Sequence, residues 1–289
     1  MLDENWKDEL SQLKRKAQSG DAEAQVELGL RYFDGEGVEQ DSGKAAEWFR
    51  KAAEQGLPKG QFKLGLCYIH GEGVEHDFAK AVEWIQKAAE QGHDHAQFNL
   101  GLCYANGDGV EQNATTAARW YRRAAELGHF GAQFFLGCAY LHGEGVERDP
   151  AQALEWLKKS AEQRLVDAQF LVGQCYANGE GTEKDPLQAV EWYRQAAERG
   201  FADAQIALGW HYAVGSGVLR NIANAAQWFL KAAKQDDPRA QFALGLCYRD
   251  GGDGIPQDTA KAAELFRQAA AQGFEPAQKE LEKLNKTGN

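Results

Sequence analysis

Among the side chains in this chain that could ligate a metal or attack a carbonyl are five cysteines and seven histidines. Cys67, Cys103, Cys175 and Cys247 stand 36 residues, or twice that, apart, and Cys138 sits one position before their register. No Cys-x-x-Cys or Cys/His spacing of a zinc site is present. His70 and His142 share a register two periods apart. That separates them by roughly 16–20 Å at one helix spacing per period, too far for a shared metal. His93, His95 and His129 are read as surface residues, so no metal and no cofactor is expected. Cys175 and His211 occupy one register in successive periods, which makes a nucleophile–base pair geometrically possible. The same register serves plain packing elsewhere, and no catalytic residue is assigned. The Gly-x-Gly segments, such as Gly71-Glu72-Gly73, have no strand before them and no Lys-Ser/Thr after them, so they are turns rather than phosphate loops.

The spacing of the cysteines belongs to a wider pattern. Gln25, Gln61, Gln97, Gln133, Gln169, Gln205 and Gln241 recur every 36 residues, as do Trp48, Trp84, Trp120, Trp156, Trp192 and Trp228. A period of this length marks a stacked-repeat architecture. Seven repeats span 21–273, with bounds 21–56, 57–92, 93–128, 129–164, 165–200, 201–236 and 237–273. Residues 1–20 carry an N-terminal capping helix over 3–19, and 274–289 a C-terminal capping helix and tail. The seventh repeat has one extra residue within 250–254. Outward charges on the last helix, including Glu280 and Lys286, keep that end soluble.

Each repeat reads helix, turn, helix. In the third, Ala96, Gln97, Leu100, Gly101 and Tyr104 fall on one helical face. The Gly101 register is glycine in every repeat, although glycine costs about 1 kcal/mol inside a helix, so close packing is expected there. A Gly-x-Gly-Val turn ends the first helix. Asp41, Asp77, Asn113, Asp149, Asp185, Asn221 and Asp258 then read as N-caps, with Pro150 and Pro186 at the first helical position. The second helix carries an apolar stripe such as Ala81, Trp84, Ile85 and Ala88. Its outer face carries the i,i+4 pairs Glu47–Lys51, Glu83–Lys87 and Glu155–Lys159, read as a solvated surface.

These columns resemble the Sel-1-like repeat family, relatives of the tetratricopeptide repeat. The match is carried by Ala-Gln-x-x-Leu-Gly-x-x-Tyr, Gly-x-Gly-Val, the Asp cap, Ala-x-x-Trp and Ala-Ala-x-x-Gly. The resemblance implies an all-α, right-handed α/α superhelix (solenoid) of seven repeats, and a bacterial scaffold or adaptor that is not an enzyme. Cysteine-rich secreted relatives are linked to β-lactam binding or hydrolysis, which gives an alternative reading. No cysteine here has the partner seven or eight residues on that those relatives carry. The five cysteines are therefore read as thiols, consistent with a reducing compartment.

The net charge is −11, which argues against nucleic acid and anionic membranes as partners. The first ten residues are polar, so no signal peptide is read and a cytoplasmic monomer is expected; a trimmed N-terminus would admit a secreted or periplasmic protein. The columns that vary between repeats point to the binding face. His95, Asn99, Leu102 and Asn106 and their counterparts form a stripe opposite the constant face of the first helix. In the tetratricopeptide superhelix this face lines the concave groove. An apolar patch across repeats 4–6 is expected there. The candidate contacts for a protein or peptide ligand are Phe135, Leu141, His142, Leu171, Gln174, Asn178 and Trp210.

Overall fold

The structure, a computed structural model, describes residues 5–252 and 254–287. Residues 3 and 4 of the expected first helix, Asp253 of the seventh turn and the side chain of Lys286 lie outside the described residues. Sixteen α-helices and one isolated bridge, Gly252 to Ile255, are found among them, with no strand. The chain divides into two compact units, Met1–Arg148 and Asp149–Asn289.

The first unit contains α1 (Asn5–Gln18), α2 (Ala22–Asp34), α3 (Ser42–Glu54), α4 (Pro58–His70), α5 (Phe78–Glu90), α6 (Asp94–Asn106), α7 (Ala114–Glu126) and α8 (Phe130–His142). The second contains α9 (Pro150–Glu162), α10 (Val166–Asn178), α11 (Pro186–Glu198), α12 (Ala202–Val214), α13 (Ile222–Ala233), α14 (Pro238–Asp250), α15 (Thr259–Ala271) and α16 (Glu275–Thr287). Within each unit every helix packs on its neighbours in sequence, giving an all-α stack of helical hairpins.

The expected caps form. Asp41 accepts from the backbone N–H of Lys44, and Asp77 and Asn113 do the same for Lys80 and Thr116. The Lys44 hydrogen bonds hold the Asp41 carboxyl below its ordinary value. The second glycine of each Gly-x-Gly has a further reason. A Cβ on Gly109 would lie 2.4 Å from the Phe78 carbonyl oxygen, at the start of α5. The turn of one repeat therefore rests directly on the backbone of the repeat before it.

The helix-interior glycines make room for the core. A Cβ on Gly101 would meet the Tyr121 ring at 2.6 Å, and one on Gly29 would meet Phe49 at 2.6 Å. Gly209 and Gly245 stand in the same relation to Phe229 and Phe266. The residue after each tryptophan thus fills the core, while Trp84 itself is only half-buried. The outer pairs also differ from expectation. Lys51, Lys87 and Lys159 lie 3.9, 4.1 and 3.9 Å over the rings of Trp48, Trp84 and Trp156. Each lysine covers an aromatic face instead of reaching its glutamate, because a cation over a tryptophan gains about 0.5–1 kcal/mol even at exposed sites.

The glutamine column is buried throughout. The amide nitrogens of Gln25, Gln61, Gln97, Gln133, Gln169 and Gln205 donate to a carbonyl at the C-terminal end of the preceding helix, as Gln25 does to Ala17 (3.1 Å) and Gln97 to Ala89 (3.1 Å). Such carbonyls have no partner within their own helix. The amide oxygens of Gln25, Gln61, Gln205 and Gln241 in turn accept from a second glutamine at the far end of the same hairpin. Gln55 donates to Gln25 (2.7 Å), Gln91 to Gln61 (2.8 Å) and Gln235 to Gln205 (3.0 Å). The third repeat has Leu127 in that second position. Leu127 is 58% exposed, and the Gln97 amide oxygen is buried with no hydrogen-bond partner among the described residues; the same holds for Gln169 in the fifth repeat, where Arg199 takes the second position.

Replacing Leu127 by Gln supplies the missing donor. It should stabilise the protein by about 0.5–1.5 kcal/mol, the usual net value of a hydrogen bond. Thermal unfolding of the Leu127→Gln variant measures this, and an unchanged or lower Tm would refute the assignment.

Candidate functional site

The varying stripe meets a cleft in the first unit. Helices α6, α7 and α8 enclose about 520 Å³ lined by Leu102, Ala105, Asn106, Tyr121, Phe135, Cys138 and Glu144, among others. Leu102 and Asn106 come from one helical face of α6, Phe135 and Cys138 from the matching face of α8. The equivalent cleft two repeats earlier holds about 270 Å³, with Phe33 where Ala105 stands and Lys63 where Phe135 stands. The larger space therefore follows from a small residue on its wall.

Phe135 is 39% exposed. Its ring stacks on Tyr121 at 5.4 Å and lies 5.7 Å from Phe98. Aromatic neighbours fix its orientation while its edge remains open to solvent. The Tyr121 hydroxyl is buried with no hydrogen-bond partner among the described residues. Burial pushes that phenol well above its ordinary value, so it stays protonated.

The other candidates fall in both units. His142 is exposed on α8. Leu141 is buried, with 8% exposure, so it serves the core and leaves the contact surface: it lies one position off the stripe. In the second unit, Leu171 and Gln174 are half-buried and Asn178 is exposed. Trp210 is 41% exposed and rests edge-on against Phe229 at 5.2 Å. Val214, one turn further along α12, is exposed at 67%. Trp210 and Val214 together make an open apolar strip; both lay in the stripe columns, and the candidate set included Trp210 but not Val214.

His95 is exposed, as read, and His93 is half-buried, but His129 departs from the surface reading. His129 is buried, with 7% exposure. Its Nδ1 accepts the backbone N–H of Ala132 (3.1 Å), and its Nε2 bonds His95 Nδ1 (3.1 Å). His93 Nδ1 likewise accepts from Ala96 N–H (3.2 Å). Both are helix N-caps, in the register where Asp21 and Asp237 cap α2 and α14. The aspartates in that register were the sequence signal that could have revealed them. Among the described residues no group of three or more His, Cys, Asp and Glu is arranged to hold a metal ion. No described helix is long and apolar enough to cross a membrane.

Cys67, Cys103, Cys175 and Cys247 are buried, and burial pushes each thiol up to about 11. A thiol with that value is a poor nucleophile near neutrality. His211 directs Nδ1 to the Ser216 carbonyl (2.8 Å) and packs against Tyr193 at 5.5 Å. Nothing in these contacts prepares Cys175 for attack. Cys138, half-buried in the cleft wall, is the more accessible thiol.

The Sel1 repeat model matches residues 22–57, 58–93, 94–129, 131–165, 166–201, 202–237 and 238–274. The chain is similar to the crystal structure of a protective antigen present in uropathogenic Escherichia coli strains displaying an SLR fold. That similarity has 40% identity and a TM-score of 0.92, and covers 97% of this chain and 60% of that one. A Sel1 repeat protein from Oxalobacter formigenes matches with 36% identity and a TM-score of 0.72, over 94% of this chain and 78% of that one. A secretory immunoglobulin A-binding protein, EsiB, of E. coli is 56% identical over 43 residues, 15% of this chain and 9% of that protein.

The burial pattern sets an order of thiol reactivity. In the native protein at neutral pH a maleimide should label Cys138 first, and the four buried thiols only as the chain unfolds. Mass spectrometry of partly labelled protein, with Cys138→Ser as control, checks this; fast labelling that survives in the variant would contradict it.

Proposed function

The chain belongs to the Sel1 repeat family, and we propose that it is a noncatalytic scaffold that holds a segment of a partner protein on the exposed face of its first helices. The observation that carries this reading is the cleft beneath Phe135. A buried aromatic cluster presents one open ring edge over a space large enough for an anchor side chain. Contact energy in protein interfaces concentrates in a few such aromatic residues. In the second unit the strip of Trp210 and Val214 offers a further contact, with Leu171, Gln174 and Asn178 on the neighbouring first helix. His142 supplies a polar flank beside Phe135. The name of the matched E. coli protein, which describes binding to another protein, agrees with a protein ligand.

A displayed peptide library panned on the protein tests this. Selected peptides should carry an aromatic or aliphatic anchor, and Phe135→Asp should weaken them by about tenfold or more without lowering helical content. Trp210→Ala provides a second arm, read alongside its helical content. Peptides that bind wild type and both variants equally would defeat the reading.

A further inference from the structure

Adjacent repeats are tied along one edge by a donor that reaches back to the preceding repeat. Gln91 donates to the Gly56 carbonyl (3.1 Å), and Gln235 to the Gly200 carbonyl (2.9 Å). Arg199 makes the equivalent bond to the Arg164 carbonyl. None of these donors titrates near neutral pH. At the joint between α6 and α8 the corresponding residue is Leu127, which has no polar group to offer. Two residues further on, His129 reaches back to His95 instead. This joint, whose residue has no side-chain donor, is bridged by an imidazole pair.

The geometry fixes the protons. His129 Nδ1 accepts from Ala132 N–H, so its proton sits on Nε2 and is donated to His95 Nδ1. His93 Nδ1 accepts from Ala96 N–H and holds its proton on Nε2 in the same way. A neutral imidazole can do this and an imidazolium cannot, because both its nitrogens are donors. Protonation would set two N–H groups against each other at Ala132 and again at Ala96. It would also place positive charge at the N-termini of α6 and α8, where the helix dipole opposes it.

From this geometry we infer that the α6–α8 joint is an acid-sensitive switch: it is closed while His93 and His129 are neutral and loosened when they take up protons. The surroundings favour the neutral forms. His93 is packed against Phe62 (4.9 Å) and His129 against Phe98 (4.5 Å). Burial, first, holds both histidines below their ordinary value. His93 faces Asp94 and His95 on its own helix and Lys59 of α4, and His129 faces His95 and Asp94 of α6. The Asp94 carboxylate and a backbone hydrogen bond of each histidine favour the charged form, and burial outweighs them.

The sign follows. The folded values lie below the ordinary 6.5, so the stabilisation is complete above that pH and is lost as pH falls through the folded values. Since α6 and α8 are also two walls of the cleft, the switch acts on its shape. The switch itself stands without any ligand, and its test leaves the docking reading untouched.

Nitrogen-detected NMR of the full chain reads the imidazoles directly. At pH 7.5 His93 and His129 should be Nε2–H tautomers, each titrating below 6.5. On going to pH 5.5, the protection factors of Ala96 and Ala132 amides should fall, while Ala24 and Ala240, under aspartate caps, keep theirs. In thermal melts, the drop in Tm over the same interval should shrink in His93→Asn/His129→Asn, whose caps do not titrate there. Nδ1–H tautomers at pH 7.5, or equal acid sensitivity in the wild type and the double histidine variant, would overturn the proposal, and the wild-type spectra decide it even where the variant fails to fold.

Discussion

A buried primary amide has to be satisfied at both ends. Leaving one of its groups unpaired costs about 1–3 kcal/mol. The glutamine that opens each first helix therefore fixes three things together. Its nitrogen meets a carbonyl at the end of the previous helix. Its oxygen, as in Gln25, Gln61, Gln205 and Gln241, meets a glutamine donor from the far end of its own hairpin. The two ends of the hairpin are held side by side as a result. The spacing of 36 residues is the length of chain that lets this closure repeat.

The rest of the packing is arranged around that closure. Once the hairpin ends are fixed, the interior glycine and the aromatic opposite it set how closely its two helices approach, as Gly101 and Tyr121 do. The second turn glycine sets how closely one hairpin lies on the one before. Little freedom remains in the constant columns, and the variable ones inherit rigid positions. The cleft at Phe135 is a consequence: a scaffold identical in kind to that around Leu30 and Phe33 opens wider because α6 has Ala105 on its wall.

Much of this was legible in the sequence because it repeats. The helix bounds, the aspartate caps and the need for glycine in the helix interior each rest on a local rule sampled seven times. What was hidden depended on contacts beyond one repeat. Histidine is not a usual N-cap residue, and nothing local in His93 or His129 announces that each receives a backbone N–H. The pairing of lysine with glutamate follows from helical spacing alone, whereas the choice of the tryptophan face depends on how far that ring is exposed. Leu141 looked like an apolar contact beside His142, but one position on a helix turns a side chain through 100°, and it ends in the core. The open strip of Trp210 and Val214 lay in the recognised columns, yet its exposure could be judged only with Phe229 in place beneath it.

The ties between repeats also have an electrolyte character. The strip that closes each hairpin is made almost wholly of neutral amides and carbonyls, while the surface carries a net charge of −11. Mobile ions weaken forces between exposed charges, with a screening length of about 3 Å at 1 M salt, but leave short bonds between buried dipoles nearly unchanged. Salt therefore relieves the mutual repulsion of the acidic surface without loosening what holds the stack together. Concentrated brine, which dismantles many assemblies built on ion pairs, leaves this one as firm as before or firmer.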